Sequence, residues 1–453
     1  MDMDLSIFKD YDVRGVCPTQ LNSDVAIQIA HAIVRKFQPK SISICRDMRL
    51  YGKEIRDAFV DVFLSLGVDV YDAGIVGTEM QYFIAGTRDY DLVIMISASH
   101  NPPEYNGFKM VKKGPIAITS DSGMNDIRDL VKEGPLPAVN KPGTLFEIDV
   151  WKEWKEKILS LVDTSLFAPL KVVVDGGNGM AGTIVSTLFK DLPFTVVPLF
   201  FEQDGTFPNH TPNPLIEKNN ETLQKTIITE KAALGLTFDG DADRMFLVDD
   251  TGRFVSGTIT TALLSEYLLK THPGELILYN AICGRIVPQI IDKFGGKSKR
   301  VRVGHSYIKT YMRETNALFA GEHSGHYYYR DFYQAESGVL TALLVLSLLS
   351  QSSKSLSTLV DEINVYPASG EINFTVNDIP AIVEKIKSGY MDAASKDEID
   401  GISVWYPSYW FNVRASKTEP VIRLNVEADS KDILETKTNE LTEFIKSMGG
   451  TVK

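Results

Sequence analysis

Residues 97–109 read Ser-Ala-Ser-His-Asn-Pro-Pro-Glu-Tyr-Asn-Gly-Phe-Lys, directly after the apolar run Leu92-Val93-Ile94-Met95-Ile96. A buried strand that empties into such a loop is where an α/β sheet presents chemistry, because the strand is rigid and the loop is free to vary. Ser99 next to His100 has the makings of a nucleophile held in a defined place, with Lys109 near in sequence. The same residues would also make an ordinary turn, with Asn101 and Pro102 as its punctuation.

A second polar loop, Asp239-Gly240-Asp241-Ala242-Asp243-Arg244, follows the apolar run Leu234–Phe238. In extended backbone, residues two apart face the same side, so the three carboxylates would crowd together. That crowding is costly unless a cation neutralises it, and hard oxygen donors suit Mg²⁺. An EF-hand is a poor alternative, since Arg244 stands where glycine is needed and Asp250 where glutamate is usual. A further loop, Gly321-Glu322-His323-Ser324-Gly325-His326, follows Ala317–Ala320. Near the C-terminus, Arg414-Ala415-Ser416-Lys417-Thr418-Glu419-Pro420 gathers a guanidinium, two hydroxyls and an ammonium, the donors that oxyanion binding wants.

Two other patterns suggest different chemistry. Gly177-Asn178-Gly179-Met180-Ala181-Gly182 sits between a strand and a helix, with Glu202 further on, as a dinucleotide fold and an NAD-linked oxidoreductase would require. That reading leaves the aspartates without a role. Gly296-Lys297-Ser298 resembles the end of a P-loop, but Ile291 stands where its first glycine must be.

The elements that position these loops recur three times. Each copy runs strand, helix, strand, then a strand ending in a polar loop. The copies begin at Ser41–Ile44, Lys171–Val174 and Leu276–Tyr279. Their second strands are expected at Val68–Tyr71, Thr195–Pro198 and Arg300–Val303. Strands alternating with helices imply α/β sheets that are largely parallel. After residue 370 the rhythm breaks into alternating stretches, Glu371–Val376 and Val421–Val426, that read as antiparallel sheet. The fold class expected is three related mixed-sheet α/β domains plus a smaller α+β C-terminal domain around a central cleft. The expected divisions are residues 1–145, 146–252, 253–367 and 368–453, with a hinge near Tyr366–Gly370.

The chain of 453 residues is long enough for three or four domains, and its 44% hydrophobic content supports sizeable cores. A net charge of −12 argues against nucleic acid or an anionic membrane as a partner. The apolar stretch Gly338–Leu349 is too short to span a bilayer and reads as a buried helix. Cys17, Cys45 and Cys283 form no zinc or disulfide pattern, and the acidic start lacks the features of a signal peptide, so a cytoplasmic protein is expected.

With its loops in this order, the chain resembles the α-D-phosphohexomutase superfamily, in particular its bacterial phosphomannomutase/phosphoglucomutase members, over nearly its whole length. Ser97–Pro102 is similar to the phosphoserine loop, with Ser99 as the phosphorylated serine. Residues 239–244 resemble the Mg²⁺ loop, whose ligands would be Asp239, Asp241, Asp243 and an oxygen of phosphorylated Ser99. Gly321–His326 resembles the sugar-recognition loop, with Glu322, Ser324 and His326. Arg414–Pro420 resembles the phosphate-binding loop, with Arg414, Ser416, Lys417 and Thr418. Phe8–Gly15 resembles a segment that would bring Tyr11 and Arg14 to the site, and Gly304-His305-Ser306 one that contributes a histidine.

The resemblance implies a mutase that interconverts hexose 6-phosphate and hexose 1-phosphate through a phosphoserine and a hexose 1,6-bisphosphate. Mannose is the expected sugar and glucose a further one. Its catalytic groups would be Ser99, His100, Lys109, Arg244, Arg14 and His305, and its partners small hexose phosphates, in a monomer or homodimer. The identity of the general base stays open. Lys417, His323 and Ile282 depart from the usual pattern, the last where some relatives carry a functional lysine. Pro208–Pro214 looks more like phosphomannomutases than phosphoglucosamine mutases. A phosphoglucosamine mutase, a metal-dependent sugar phosphatase and the oxidoreductase are the alternatives.

Overall fold

A computed structural model describes residues 3–376, 378–416 and 421–453. They divide into two compact units, Met1–Ser256 with Ser324–Ser357, and Gly257–His323 with Thr358–Lys453.

The threefold rhythm is real at the level of strand pairing. In the first copy, Ser41–Arg46 is the central strand, with Asp69–Ile75 and Leu92–Ile96 parallel to it on either side. In the second, Lys171–Asp175 is flanked in parallel by Thr195–Leu199 and Leu234–Phe238. In the third, Leu276–Asn280 is flanked by Lys297–Val301 and Phe319–Gly321. Helices such as Gly52–Ser65, Ala181–Phe189 and Ile286–Lys293 make the crossovers that parallel pairing demands. The third strand of every copy ends in a loop that carried candidate chemistry.

What the parallel rhythm did not foretell is the antiparallel strand that follows in the first two copies. Tyr105–Lys112 returns beside Leu92–Ile96, and Met245–Asp249 beside Leu234–Phe238. Asp12–Val16 adds to the far side of Tyr105–Lys112, pairing Asp12 with Lys109. The second strand of the third copy spans Lys297–Val301, earlier than the expected Arg300–Val303. It lies beside Leu276–Asn280 with its first three residues exposed, so polar side chains mask it in the sequence.

Around the first sheet, Ile29, Ile33, Phe59 and Phe63 of helices Ser23–Phe37 and Gly52–Ser65 pack on Ile42, Ile44, Ile94 and Ile96 in one apolar core. Gly338–Ser350 is the buried helix its composition implied, begun by Ser337, whose side chain accepts from the Leu340 N–H. Residues 324–357, sequence neighbours of the third copy, pack within the first unit. In the second unit, the C-terminal strands form an antiparallel sheet in the order 395–397, 402–405, 409–415, 421–428, 368–375, 451–452. The expected hinge is bonded there: Tyr366 lies under the Arg285 guanidinium at 4.2 Å, and its hydroxyl bonds the Gln289 side-chain amide.

Among the described residues, no helix is long and apolar enough to cross a membrane.

Candidate active site

Lys109 reaches the aspartate cluster because the chain reverses after Leu92–Ile96 and runs back alongside it. The register sets Lys109 opposite Met95, two residues before Ser97. Within the serine loop, Ser99 adopts φ +49°, a left-handed backbone that non-glycine residues rarely take. Its N–H donates to Ser97 Oγ at 2.9 Å, and its own Oγ donates to Asp239 Oδ2 at 2.6 Å. His100 Nδ1 lies 3.3 Å from Ser99 Oγ. Burial, then the charges of Arg244 and Arg14, push the His100 imidazole well below its usual value and hold it neutral.

The aspartates converge, but not by the extended alternation expected for them. Phe238 pairs with Met245, so residues 239–244 form the tight reversal of a hairpin, with Ala242 at φ +63°. A two-stranded antiparallel reversal cannot stay extended, and the turn itself gathers the three carboxylates. One oxygen from each lies within 4.8 Å of the others, and all three residues are buried. Asp241 Oδ2 accepts from Thr78 Oγ1 at 2.5 Å, Ser97 Oγ at 3.0 Å and Lys109 Nζ at 3.1 Å. Lys109 also donates to Asp243 Oδ2 at 2.7 Å.

These charges are unevenly compensated. Burial and the charges of Asp243 and Asp241 push the Asp239 carboxyl well above the usual carboxylate range. Burial acts the same way on Asp243, but Lys109, His326 and Arg244 outweigh it and hold that group well below. Asp241 Oδ1 and Asp243 Oδ1 are buried without a hydrogen-bond partner, the latter 3.5 Å from His326 Nε2. Orphaned anionic oxygens in an all-oxygen cluster are a donor set that fits a hard divalent cation such as Mg²⁺.

Other expected residues gather at the same place. Arg14 Nη1 donates to Asn101 Oδ1 at 2.7 Å, while Nη2 pairs with Asp12; Tyr11 acts electrostatically on the same guanidinium. Arg244 donates its N–H to Asp239 Oδ1 at 3.1 Å and its Nε to His326 Nε2 at 3.3 Å. His326 Nδ1 in turn meets Ser324 Oγ at 3.1 Å. The structure thus sets Ser324 and His326 against the aspartate loop.

The second unit holds the remaining groups. Glu322 Oε2 accepts from Asn280 Nδ2 at 3.2 Å and from the Gly304 N–H at 3.3 Å, immediately before His305. His323 Nδ1 meets Thr258 Oγ1 at 3.2 Å, and burial lowers the pKa of its imidazole. Arg414 is buried and pairs with Glu371 Oε2 at 2.7 Å; Arg423 takes the other oxygen at 3.1 Å. The Ser416 N–H donates to Val421 O. Lys417 and Thr418 lie outside the described residues.

Sequence reasoning passed over several neighbours. Thr78 begins a helix and gave no signal beyond the preceding Gly77. Ser97 supports both Ser99 and Asp241 from inside the motif that was read for Ser99 alone. Asp47, just after Ser41–Arg46, carried the same signal that singled out the other loops, a polar residue following an apolar strand. The glycines at 177–182 serve packing: the Met180 N–H donates to Gly240 O at 2.9 Å, and a β-carbon on Gly179 would sit 2.5 Å from that oxygen. The segment that resembled a dinucleotide fingerprint supports the aspartate loop.

Comparison with known proteins places the chain. Family profiles for phosphoglucomutase/phosphomannomutase match in four parts: alpha/beta/alpha domain I over residues 5–136, domain II over 152–252, domain III over 256–366, and the C-terminal domain over 371–443. A protein of Xanthomonas campestris pv. campestris described as "Phosphohexose mutases" is 38% identical over 98% of this chain and 100% of its own. A phosphomannomutase of Escherichia coli is 37% identical over 98% of this chain and 99% of its own. Among solved structures, a phosphoglucomutase/phosphomannomutase family protein from Burkholderia thailandensis superposes with a TM-score of 0.91 at 32% identity, covering all of both chains. Matched in all four parts and nearly end to end, the chain belongs to the phosphoglucomutase/phosphomannomutase family and is a phosphohexomutase.

Proposed function

We propose that this phosphohexomutase interconverts mannose 6-phosphate and mannose 1-phosphate, and accepts the glucose phosphates as well, using Ser99 as a covalent phosphoryl carrier. The observation that carries this reading is the 2.6 Å bond from Ser99 Oγ to Asp239 in a buried three-carboxylate cluster. The mannose preference is supported by the phosphomannomutase at 37% identity and by the Pro208–Pro214 segment.

In the first half-reaction, phosphorylated Ser99 gives its phosphoryl group to a free hydroxyl of the hexose monophosphate. The Ser99 O–P bond breaks, a new sugar O–P bond forms, and the proton of the sugar hydroxyl passes by way of a general base to the leaving Ser99 Oγ. The bisphosphate then turns end for end, and its other phosphoryl group returns to Ser99. Asp239, Asp241 and Asp243 would hold a Mg²⁺ ion, which supplies Lewis-acid stabilisation of charge on a transferring phosphoryl group. Lys109 and Arg244 contribute fixed positive charge beside the cluster, and Arg14 orients the loop through Asn101. Glu322 and His305 offer groups suited to sugar hydroxyls, and Arg414 and Ser416 suit the phosphate that is not reacting.

Turnover of mannose 1-phosphate, glucose 1-phosphate and glucosamine 1-phosphate, with a trace of glucose 1,6-bisphosphate, tests the assignment. Isomerised product with mannose 1-phosphate leading is expected. Release of inorganic phosphate in its place would make the protein a phosphatase, and a lead for glucosamine 1-phosphate would overturn the sugar.

A further inference from the structure

Arg49 stands outside the reaction just described, yet it touches the serine loop more than any residue assigned to the chemistry. Its side chain is fully enclosed. Nη2 donates to Ser99 O at 2.6 Å and Asn101 O at 2.5 Å, and Nη1 to Pro102 O at 2.9 Å and Tyr105 O at 3.1 Å. Its Nε lies 3.6 Å from Asp47 Oδ2, and the ring of Phe207 covers the guanidinium at 4.8 Å. The clamp therefore joins the end of one strand, the serine loop, and the segment that precedes Pro208–Pro214.

We propose that Arg49 is the positioning residue that keeps the serine loop in the left-handed form that aims Ser99 Oγ at Asp239, a role that rests on the phosphoserine reading above. Serine favours negative φ, so φ +49° at residue 99 needs support beyond the local bond from its N–H to Ser97 Oγ. The surroundings must impose it, and the carbonyl of Ser99 itself is gripped by Arg49. A guanidinium suits the task because its planar fork directs several N–H groups to fixed points, whereas an ammonium is a compact charge with three donors. The buried charge is compensated by Asp47 and by the aromatic face. The strands on either side, Leu92–Ile96 and Tyr105–Lys112, stay paired through their own register, so loss of the clamp releases the loop and not the sheet.

The test uses full-length protein with Mg²⁺, in Arg49→Lys, Arg49→Met and Phe207→Leu forms. Three readouts are taken: the rate at which glucose 1,6-bisphosphate phosphorylates Ser99, by mass spectrometry; kcat and KM for mannose 1-phosphate; and the melting temperature. Both Arg49 variants should lose about tenfold to a hundredfold in phosphorylation rate and kcat, as misplacement of a reacting group by about an ångström does, with KM nearly unchanged. Phe207→Leu keeps every loop contact and uncovers the guanidinium, so it should lose about threefold in the same two rates. If melting falls while both rates stay at wild-type values, Arg49 is only structural and the proposal is overturned. If the Arg49 variants do not fold, unchanged rates in Phe207→Leu overturn it. Wild-type protein that never takes phosphate on Ser99 would overturn the phosphoserine reading, an outcome distinct from the others.

Discussion

Ser99 Oγ and Asp239 Oδ2 are joined by a 2.6 Å hydrogen bond across 140 residues of sequence. Neither loop reaches the other by its own geometry alone. A β-carbon on Gly240 would lie 2.5 Å from Ser99 O, so only glycine there lets the aspartate hairpin come this close to the serine loop. The bond places the candidate carrier oxygen against the carboxylate that burial and its two acidic neighbours push well above the usual range. Ser99→Ala should therefore reduce turnover to background while the fold persists, and phosphate in active preparations should map to Ser99. Phosphate on Ser97 alone, or an active alanine variant, contradicts the assignment.

Crowded carboxylates also predict how the protein responds to metal. Without a cation, burial and mutual repulsion of Asp239, Asp241 and Asp243 work against the folded state, so Mg²⁺ should raise the melting temperature and EDTA should abolish activity without unfolding the chain. Asp239→Asn removes one of the charges. It should melt higher than wild type in EDTA and gain little from Mg²⁺. A wild-type melting temperature that ignores Mg²⁺ would remove the basis for a metal at this cluster.

Much of this site was legible in the sequence, and the reason is topological. In all three copies the loops follow the third strand of a parallel unit, where an apolar run gives way abruptly to polar residues, and that contrast survives in one dimension. What stayed hidden depends on contacts between distant segments. His326 beside Arg244 requires residues 324–357 to pack in the first unit. Lys297–Val301 was misplaced because an exposed strand has no apolar signature. The Glu371 partner of Arg414 lies 43 residues away and left no pattern.

Thr78 is one of these hidden contacts. Its N–H and its hydroxyl both bond Asp241, the first to the main-chain oxygen at 3.1 Å and the second to Oδ2 at 2.5 Å. Thr78→Val keeps the shape and deletes a hydrogen bond to a charged group, worth about 1.5–3 kcal/mol. The Mg²⁺ concentration for half-maximal activity should shift about tenfold or more, and Thr78→Ser should restore it. An unchanged Mg²⁺ requirement in the valine form would leave Thr78 a helix-start residue only.

Glu79, its neighbour, sets a pH dependence. Burial pushes its carboxyl up to about 8, against the bonds it accepts from Ser337 and the Val339 N–H. The folded state holds a proton that the unfolded chain releases near its ordinary value of 4.5, so this group lowers stability progressively as pH rises from 4.5 to about 8. Glu79→Gln, which mimics the protonated form, should match wild type near pH 4.5 and exceed it above pH 8 in denaturant midpoint. A constant difference across that range would contradict the protonated state.

The role of Arg414 turns on a competition. Its guanidinium is buried against Glu371, whose other oxygen pairs with Arg423. A phosphate with two charges could displace Glu371 and pair with Arg414 in the bidentate manner that arginine favours. Removing the competitor should then help binding, and removing the arginine should hurt it. Glu371→Gln should lower KM for mannose 1-phosphate. Arg414→Ala should raise it by about tenfold or more, in line with about 1.5–3 kcal/mol for a charge-assisted contact, and let more bisphosphate escape into solution. An ordinary structural pair behaves differently, because either substitution would strand a buried charge and lower the melting temperature while leaving KM where it was. Opposite movements of KM in the two variants are thus the signature of phosphate recognition, and steady-state kinetics beside a trap for free bisphosphate would read both.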